Sequence, residues 1–202
     1  TRQTHDTAFI EYTRADALRE RAIIPMHCTH LDGQASWKSD GVQNSGNISD
    51  DASPAALWTA LNTEYAHTLL SKTIEDCRLH RIHNKRAKLL VVAARQTLAN
   101  KYADYLLSNG IKCGIATMDE GADAKRAIRD FKKSPGLDAL VTVQLAYEGL
   151  DVPQITHVAC LTNIRSVPWL TQMLARATRY DKGAGPWEKQ FAHAFMPDDP
   201  AM

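Results

Sequence analysis

The chain has 202 residues, 44% of them hydrophobic, which suits one sizeable core or one domain with an appendage. Its net charge is +1, so no global field marks it for nucleic acid. Cys28, Cys77, Cys113 and Cys160 lie far apart with no Cys-x-x-Cys pair, which argues against a zinc ribbon and a disulfide scaffold and fits a reducing, cytoplasmic compartment. No apolar run approaches the roughly 20 residues that span a bilayer, and no signal peptide is read. The chain begins at Thr1 rather than Met, which predicts a fragment of something longer.

In chain order, Ala15 to Arg21 is predicted as a helix, and Ile23 to about Leu31 as an extended run. Residues 32–53, rich in Asp, Gly, Ser and Asn, read as a surface loop, partly mobile. Ser53-Pro54 is a helix start, with Ser as N-cap and Pro in the first position. From there Leu57, Leu61, Tyr65 and Leu69 recur at four-residue steps, predicting one long amphipathic helix towards Asn84. Lys88 to Ala94 is a continuous apolar run, the mark of a buried parallel strand. A helix over Gln96 to Ser108 is closed by Asn109-Gly110. Ile111 to Thr117 is a strand, and Ala122 to Lys133 a helix ended by Pro135-Gly136. Strands at Ala139 to Val143 and Thr156 to Leu161 and a helix over 167–178 follow, with a last strand within Gln190 to Met196. Strands alternating with helices predict an α/β fold with a parallel sheet covered on both faces. We divide the chain into a linking segment, 1–87, and an α/β domain, 88–202.

The stretch from Asp138 to Arg179 carries the chemistry. Strand 139–143 runs into a turn with Gly149 and Asp151, and the helix over 167–178 is expected to present Gln172, Arg176 and Arg179 along one side. Glycine lets backbone approach a ligand, and arginine offers a planar, permanently charged fork for phosphate oxygens. Gly and Asp are also ordinary turn residues, and a surface helix with salt bridges is the usual setting of arginine. Ligands of open α/β sheets bind beyond the carboxyl ends of strands, where this turn is expected.

Leu140 to Val152 resembles motif V of superfamily 2 helicases in its Glu-Gly-x-Asp form, seen in restriction-enzyme translocases and excision-repair helicases. Gln172 to Arg179 resembles motif VI, Gln-x-x-Gly-Arg-x-x-Arg, with Ala175 where the family usually has Gly. The resemblance covers roughly residues 88 to 180, and implies the C-terminal RecA-like domain of such an enzyme, with an N-terminal helical and extended appendage. It implies that Gln172, Gly149 and Asp151 contact nucleotide, and that Arg176 and Arg179 act as arginine fingers on the γ-phosphoryl group. It also implies that Arg95, Thr142, Gln144 and Tyr147 meet the nucleic-acid backbone. Beside these stand plainer readings: a solvated arginine at a helix start for Arg95, a strand residue for Thr142, a core aromatic for Tyr147. The implied cofactors are ATP and Mg²⁺, shared with an N-terminal RecA-like domain of the same polypeptide. The sequence contains no Gly-x-x-x-x-Gly-Lys-Ser/Thr loop and no metal box, so this half alone is expected to be inactive. The implied partner is nucleic acid, DNA ahead of RNA, with no membrane. The rivals are an RNA helicase domain, a non-catalytic RecA-like module that binds nucleic acid or protein, and a small-molecule α/β enzyme, the last disfavoured because no nucleophile–base pair or dinucleotide Gly motif appears.

Two further patterns are weaker. Cys77, His80 and His83 step by three along a helix end, a spacing that drifts around the helix and shows no fourth ligand; with His27-Cys28-Thr29-His30 it is assigned no metal. The run from Arg78 to Lys101 holds basic residues at 78, 81, 85, 86, 88, 95 and 101 and no acid, either a solvated face or a site for phosphate backbone.

Overall fold

A computed structural model describes residues 12–39, 41–50, 53–117, 121–133, 135–143 and 150–202. The apolar runs form one parallel sheet. Its strands are β1 (Met26–Leu31), β4 (Lys88–Ala93), β5 (Cys113–Ala116), β6 (Ala139–Val143), β7 (Ile155–Leu161) and β8 (Ala192–Pro197), in the order β1-β8-β7-β4-β6-β5. All six residues of β4 are buried because it lies centrally, between β7 and β6, with helices over both faces. Successive side chains of a strand point to opposite faces. Leu89, Val91 and Ala93 therefore pack with helices α3 (Glu64–His83) and α4 (Gln96–Ser108). Leu90 and Val92 pack on the other side with α5 (Gly121–Lys132) and α6 (Val167–Ala175). Full burial of each such aliphatic side chain is worth about 1.5–3 kcal/mol, which makes this strand the anchor of both layers. The predicted parallel α/β architecture is the one observed.

Lys88 opens this strand as a buried cation. Its Nζ donates to the carbonyls of Phe131 (2.6 Å), Lys133 (2.7 Å) and Leu137 (2.9 Å), where α5 has run out of N–H partners. Burial pushes its pKa below the usual lysine value. Gly114 of β5 sits against Ala127 of α5 so closely that an added Cβ would lie 2.9 Å from the Ala127 Cβ.

Three expectations are corrected. Residues 32–53 are not simply a loop: β2 (Gln34–Ser39) and β3 (Val42–Asn47) pair antiparallel. Ala35 and Trp37 alternate onto a small core with Ile48 and with Ala56 and Ala60 of α2 (Pro54–Ala60), and Asp32 accepts from the N–H groups of Gly33 and Ser49 to fix the hairpin base. The long helix is two. Asn62 Nδ2 donates to the Trp58 carbonyl (2.7 Å) and Thr63 Oγ1 to that of Ala60 (2.9 Å), and these side chains compete with the helical ladder until α3 restarts at Glu64. The last helix stops at Ala175 rather than 178. Its end tightens through Arg176 N–H to Met173 (3.1 Å) and Ala177 N–H to Leu174 (3.0 Å), and residues 178–179 are then drawn into extended pairing with residues 23–24. The short helix α1 (Arg14–Arg19) precedes that segment, capped by a reciprocal Thr13–Asp16 box.

The boundary after residue 87 is drawn between a linking segment and the α/β domain. Within the described residues, β1 and α3 precede it and belong to the same sheet and core as β4. No described helix is long and apolar enough to cross a membrane.

Candidate functional site

Arg179 and Asp151 stand 28 residues apart in sequence and meet as a salt bridge, from Arg179 Nη1 to Asp151 Oδ1. Local structure sets both ends. Leu150 and Val152 are buried among the residues facing α5 and α6, which turns Asp151 between them outward. Arg179 is held by an antiparallel bridge to Ile23 and by the Ile24 N–H donating to the Thr178 carbonyl (2.8 Å). Trp187 Nε1 donates to the Ile23 carbonyl (2.8 Å), fixing the segment from its other side. Arg179 thus leaves the helix face expected of it and lies in extended backbone. Asp151 precedes β7, and Arg179 pairs with Ile23, which precedes β1.

Arg176 ends α6 in right-handed helical geometry and is half-buried. Its Nε is buried and, among the described residues, has no hydrogen-bond partner. A guanidinium nitrogen in that condition is uncommon and suits an incoming acceptor. Gln172 is exposed on the same helix, one turn earlier. Thr142, in β6, is buried, with its hydroxyl likewise unpartnered among the described residues. Gln144, Tyr147 and Gly149 lie outside the described residues. Arg95 is exposed at the N-cap of α4, donates to Asn62 Oδ1 (2.6 Å), and stacks 4.6 Å from the Trp58 ring centroid. The structure therefore brings together Asp151 and Arg179, and ties Arg95 to the α2–α3 break.

Most of the basic run is engaged internally. Arg81 bonds Asp138 (2.6 Å), Arg86 bonds Asp181 (2.9 Å), Arg78 donates to the Asn109 carbonyl (2.6 Å), and Lys88 is the carbonyl clamp described above.

A second polar group was not anticipated. His157 of β7, His193 of β8 and His80 of α3 converge, each offering a nitrogen within 4.8 Å of the others. His80 had been grouped with Cys77 and His83, but it joins histidines from two strands instead. The signal was available: His157 interrupts the apolar run Ile155–Leu161, and His193 stands near the start of the next strand. What was missing was the sheet order, which makes β7 and β8 neighbours.

Residues 70–181 match the family model described as the helicase conserved C-terminal domain. An uncharacterized protein of Mycobacterium leprae is 24% identical over 182 residues, covering 87% of this chain and 30% of its own length. UvrABC system protein B of Bacteroides fragilis is 32% identical over 104 residues, covering 49% of this chain and 15% of its own. Among solved structures, a fragment of a putative HsdR subunit of a type I restriction enzyme from Vibrio vulnificus is similar with a TM-score of 0.48 and 19% identity, over 67% of this chain and 28% of that one. The chain spans less than a third of the length of these curated relatives.

Proposed function

The chain belongs to the helicase conserved C-terminal domain family, and on that premise we propose that it is the second RecA-like motor domain of an ATP-dependent superfamily 2 DNA helicase or translocase. The observation that carries the reading is the meeting of Asp151 with Arg179, which joins the two motif segments at one place on the surface. ATP, bound between this domain and an upstream one, would supply the phosphoryl group for transfer, and Mg²⁺ held by the upstream domain would neutralise its charge. The Arg176 Nε, without a partner among the described residues, fits such an anion: a phosphate oxygen would complete its hydrogen bonding. Arg176 and Arg179 would stabilise charge on the γ-phosphoryl oxygens, and Gln172, Gly149 and Asp151 would hold the nucleotide. Arg179 is free to serve because its partner holds it weakly. Both side chains are exposed, and such a pair contributes about 0–1 kcal/mol.

Arg95, Thr142, Gln144 and Tyr147 are proposed for the nucleic-acid backbone. Arg95 has the exposed cation for this, already stacked on Trp58. Thr142, being buried, would act only after the strand end rearranges. The parent would work in the cytoplasm on DNA.

The test compares this chain with a parent polypeptide that includes the upstream domain. Hydrolysis of Mg²⁺-ATP is measured with and without single-stranded DNA or RNA. The chain alone should stay at background, and the parent should turn over with stimulation by DNA. Hydrolysis by the isolated chain would overturn the half-site reading, and stimulation by RNA alone would reassign the substrate. The chain should also bind labelled single-stranded DNA weakly, independently of sequence, and less as salt rises. Absence of binding at low salt counts against Arg95 and Thr142.

A further inference from the structure

On the sheet face opposite the motif arginines lies a row of imidazoles. In the parallel register His27 of β1 stands beside His193 of β8, and His193 beside His157 of β7. The His157 and His193 rings stack with centroids 4.8 Å apart and planes 1° apart. His80, from α3 above, meets both edge-on at 5.1 and 5.4 Å. Asp76, one turn earlier on α3, places a single carboxylate oxygen 3.1 Å from His157 Nε2 and 3.0 Å from His193 Nδ1. Thr156 Oγ1 lies 2.8 Å from His157 Nδ1.

We propose that His80, His157 and His193 form a three-histidine site for a transition-metal dication, Zn²⁺ foremost, which clamps α3 to the starts of β7 and β8. Imidazole nitrogens suit zinc and its neighbours, whereas calcium and magnesium demand oxygen ligands. Ligating histidines characteristically give their other N–H to a carboxylate, which fixes the tautomer and leaves the opposite nitrogen as a lone pair. Asp76 holds one nitrogen of His157 and one of His193, and Thr156 Oγ1 meets the other nitrogen of His157, so metal binding there exchanges the hydroxyl for the ion. Zinc–nitrogen bonds of about 2.0–2.1 Å in a tetrahedron set the ligand atoms roughly 3.3 Å apart. The nitrogens already lie within 4.8 Å of one another, and closing the remainder requires the half-buried His80 and His193 to rotate towards the buried His157, tilting His193 out of its stack.

A cavity of about 110 Å³, bordered by His80, His83, Thr156 and Phe191, adjoins the group on the His80 side. The inference does not depend on the motor reading, because none of these residues belongs to the helicase motifs.

The experiment uses the untagged chain, stripped with EDTA and titrated with Zn²⁺ by calorimetry, with thermal melts alongside. One equivalent should bind, and at about a hundredfold excess over Kd the melting temperature should rise by roughly 5 °C. Co²⁺ should give visible bands of a four- or five-coordinate nitrogen and oxygen site, without the near-ultraviolet band of thiolate. His80→Ala and His193→Ala should each abolish the stoichiometric binding and the shift. Histidine ring NMR of the unmutated chain guards against variants that fail to fold: Zn²⁺ should move the ring signals of these three histidines together. No bound equivalent, a thiolate band, unmoved ring signals, or binding untouched in folded variants would overturn the proposal.

Discussion

The two faces of this sheet hold their polar groups in opposite ways. On the face with α5 and α6, Arg179 and Asp151 meet at the surface, with side chains 36% and 63% exposed. On the α3 face, Asp76 holds His157, whose side chain is fully buried, together with His193. The first is a contact that solvent and a ligand can replace at little cost. The second is a network around one fully buried ring, in which a lost partner strands His157, while Asp76 and His193 keep 36% and 25% exposure. Groups that must move in a reaction cycle belong to the first kind, and groups that fix an element in place to the second.

The sharpest way to break that comparison is Arg179→Ala in the parent polypeptide. A surface arginine removed from a loose ion pair should leave the thermal melt of the protein unchanged. An arginine acting on a γ-phosphoryl group is worth about a thousandfold or more in rate. We expect steady-state ATP hydrolysis with DNA present to fall by about that factor at an unchanged melt. A rate within a fewfold of the unmutated protein would remove Arg179 from the catalytic role, and the motif VI assignment with it.

Lys88→Met asks whether the arginine face rests on a buried clamp. Methionine keeps most of the volume and the contact with Phe131, but leaves the carbonyls of Phe131, Lys133 and Leu137 without their donor. Stranded acceptors cost about 1–3 kcal/mol apiece, lessened where water can reach them. We expect a loss of about 3 kcal/mol in urea unfolding. A loss under about 0.5 kcal/mol, the range of an ordinary surface substitution, would mean the ammonium is dispensable.

Asp76→Ala probes the other face in metal-free protein. It removes the acceptor shared by His157 Nε2 and His193 Nδ1, and His157 cannot turn to water. The expected cost is about 2 kcal/mol, read by denaturant midpoint in EDTA. If Asp76→Ala is silent while Lys88→Met is not, the histidine face is not a fixed network.

How much of this was legible in the sequence follows the physics of each element. Strands β4, β6 and β7 announced themselves because central parallel strands are apolar on both faces, and α4 and α5 through their periodic buried positions. The hairpin was missed because its inward residues are only Ala35 and Trp37, set among Gln, Ser, Lys and Asn. The Asp40-Gly41 pair, a strong short-range hairpin signal, was available. The break at Asn62 and the end at Ala175 depend on side-chain competition and on pairing with residues 23–24, neither of which a helical period encodes. At the site, residue types and spacing picked out Asp151 and Arg179 but placed them beyond a strand's carboxyl end, on a helix face that stops short of Arg179. The histidines went unassembled because their proximity comes from sheet order, not spacing.

The smallest expected effect is the most exacting for the comparison. Asp151→Asn keeps the shape of the side chain and removes the charge that faces Arg179. If the contact is as loose as its exposure implies, folding stability should change by less than about 1 kcal/mol, and added salt should change the unmutated protein by a similarly small amount. A buried, organised pair behaves differently: removing one partner typically costs about 3–5 kcal/mol, because the other charge is left without compensation. The same substitution should still reduce ATP turnover of the parent, since Asp151 is proposed to hold the nucleotide. Stability and activity therefore separate at this residue, and paired melts and hydrolysis rates measure both. A large loss of stability would show that Asp151 and Arg179 form a structural lock, in which case the two faces are alike and Arg179 is not free to reach a phosphate.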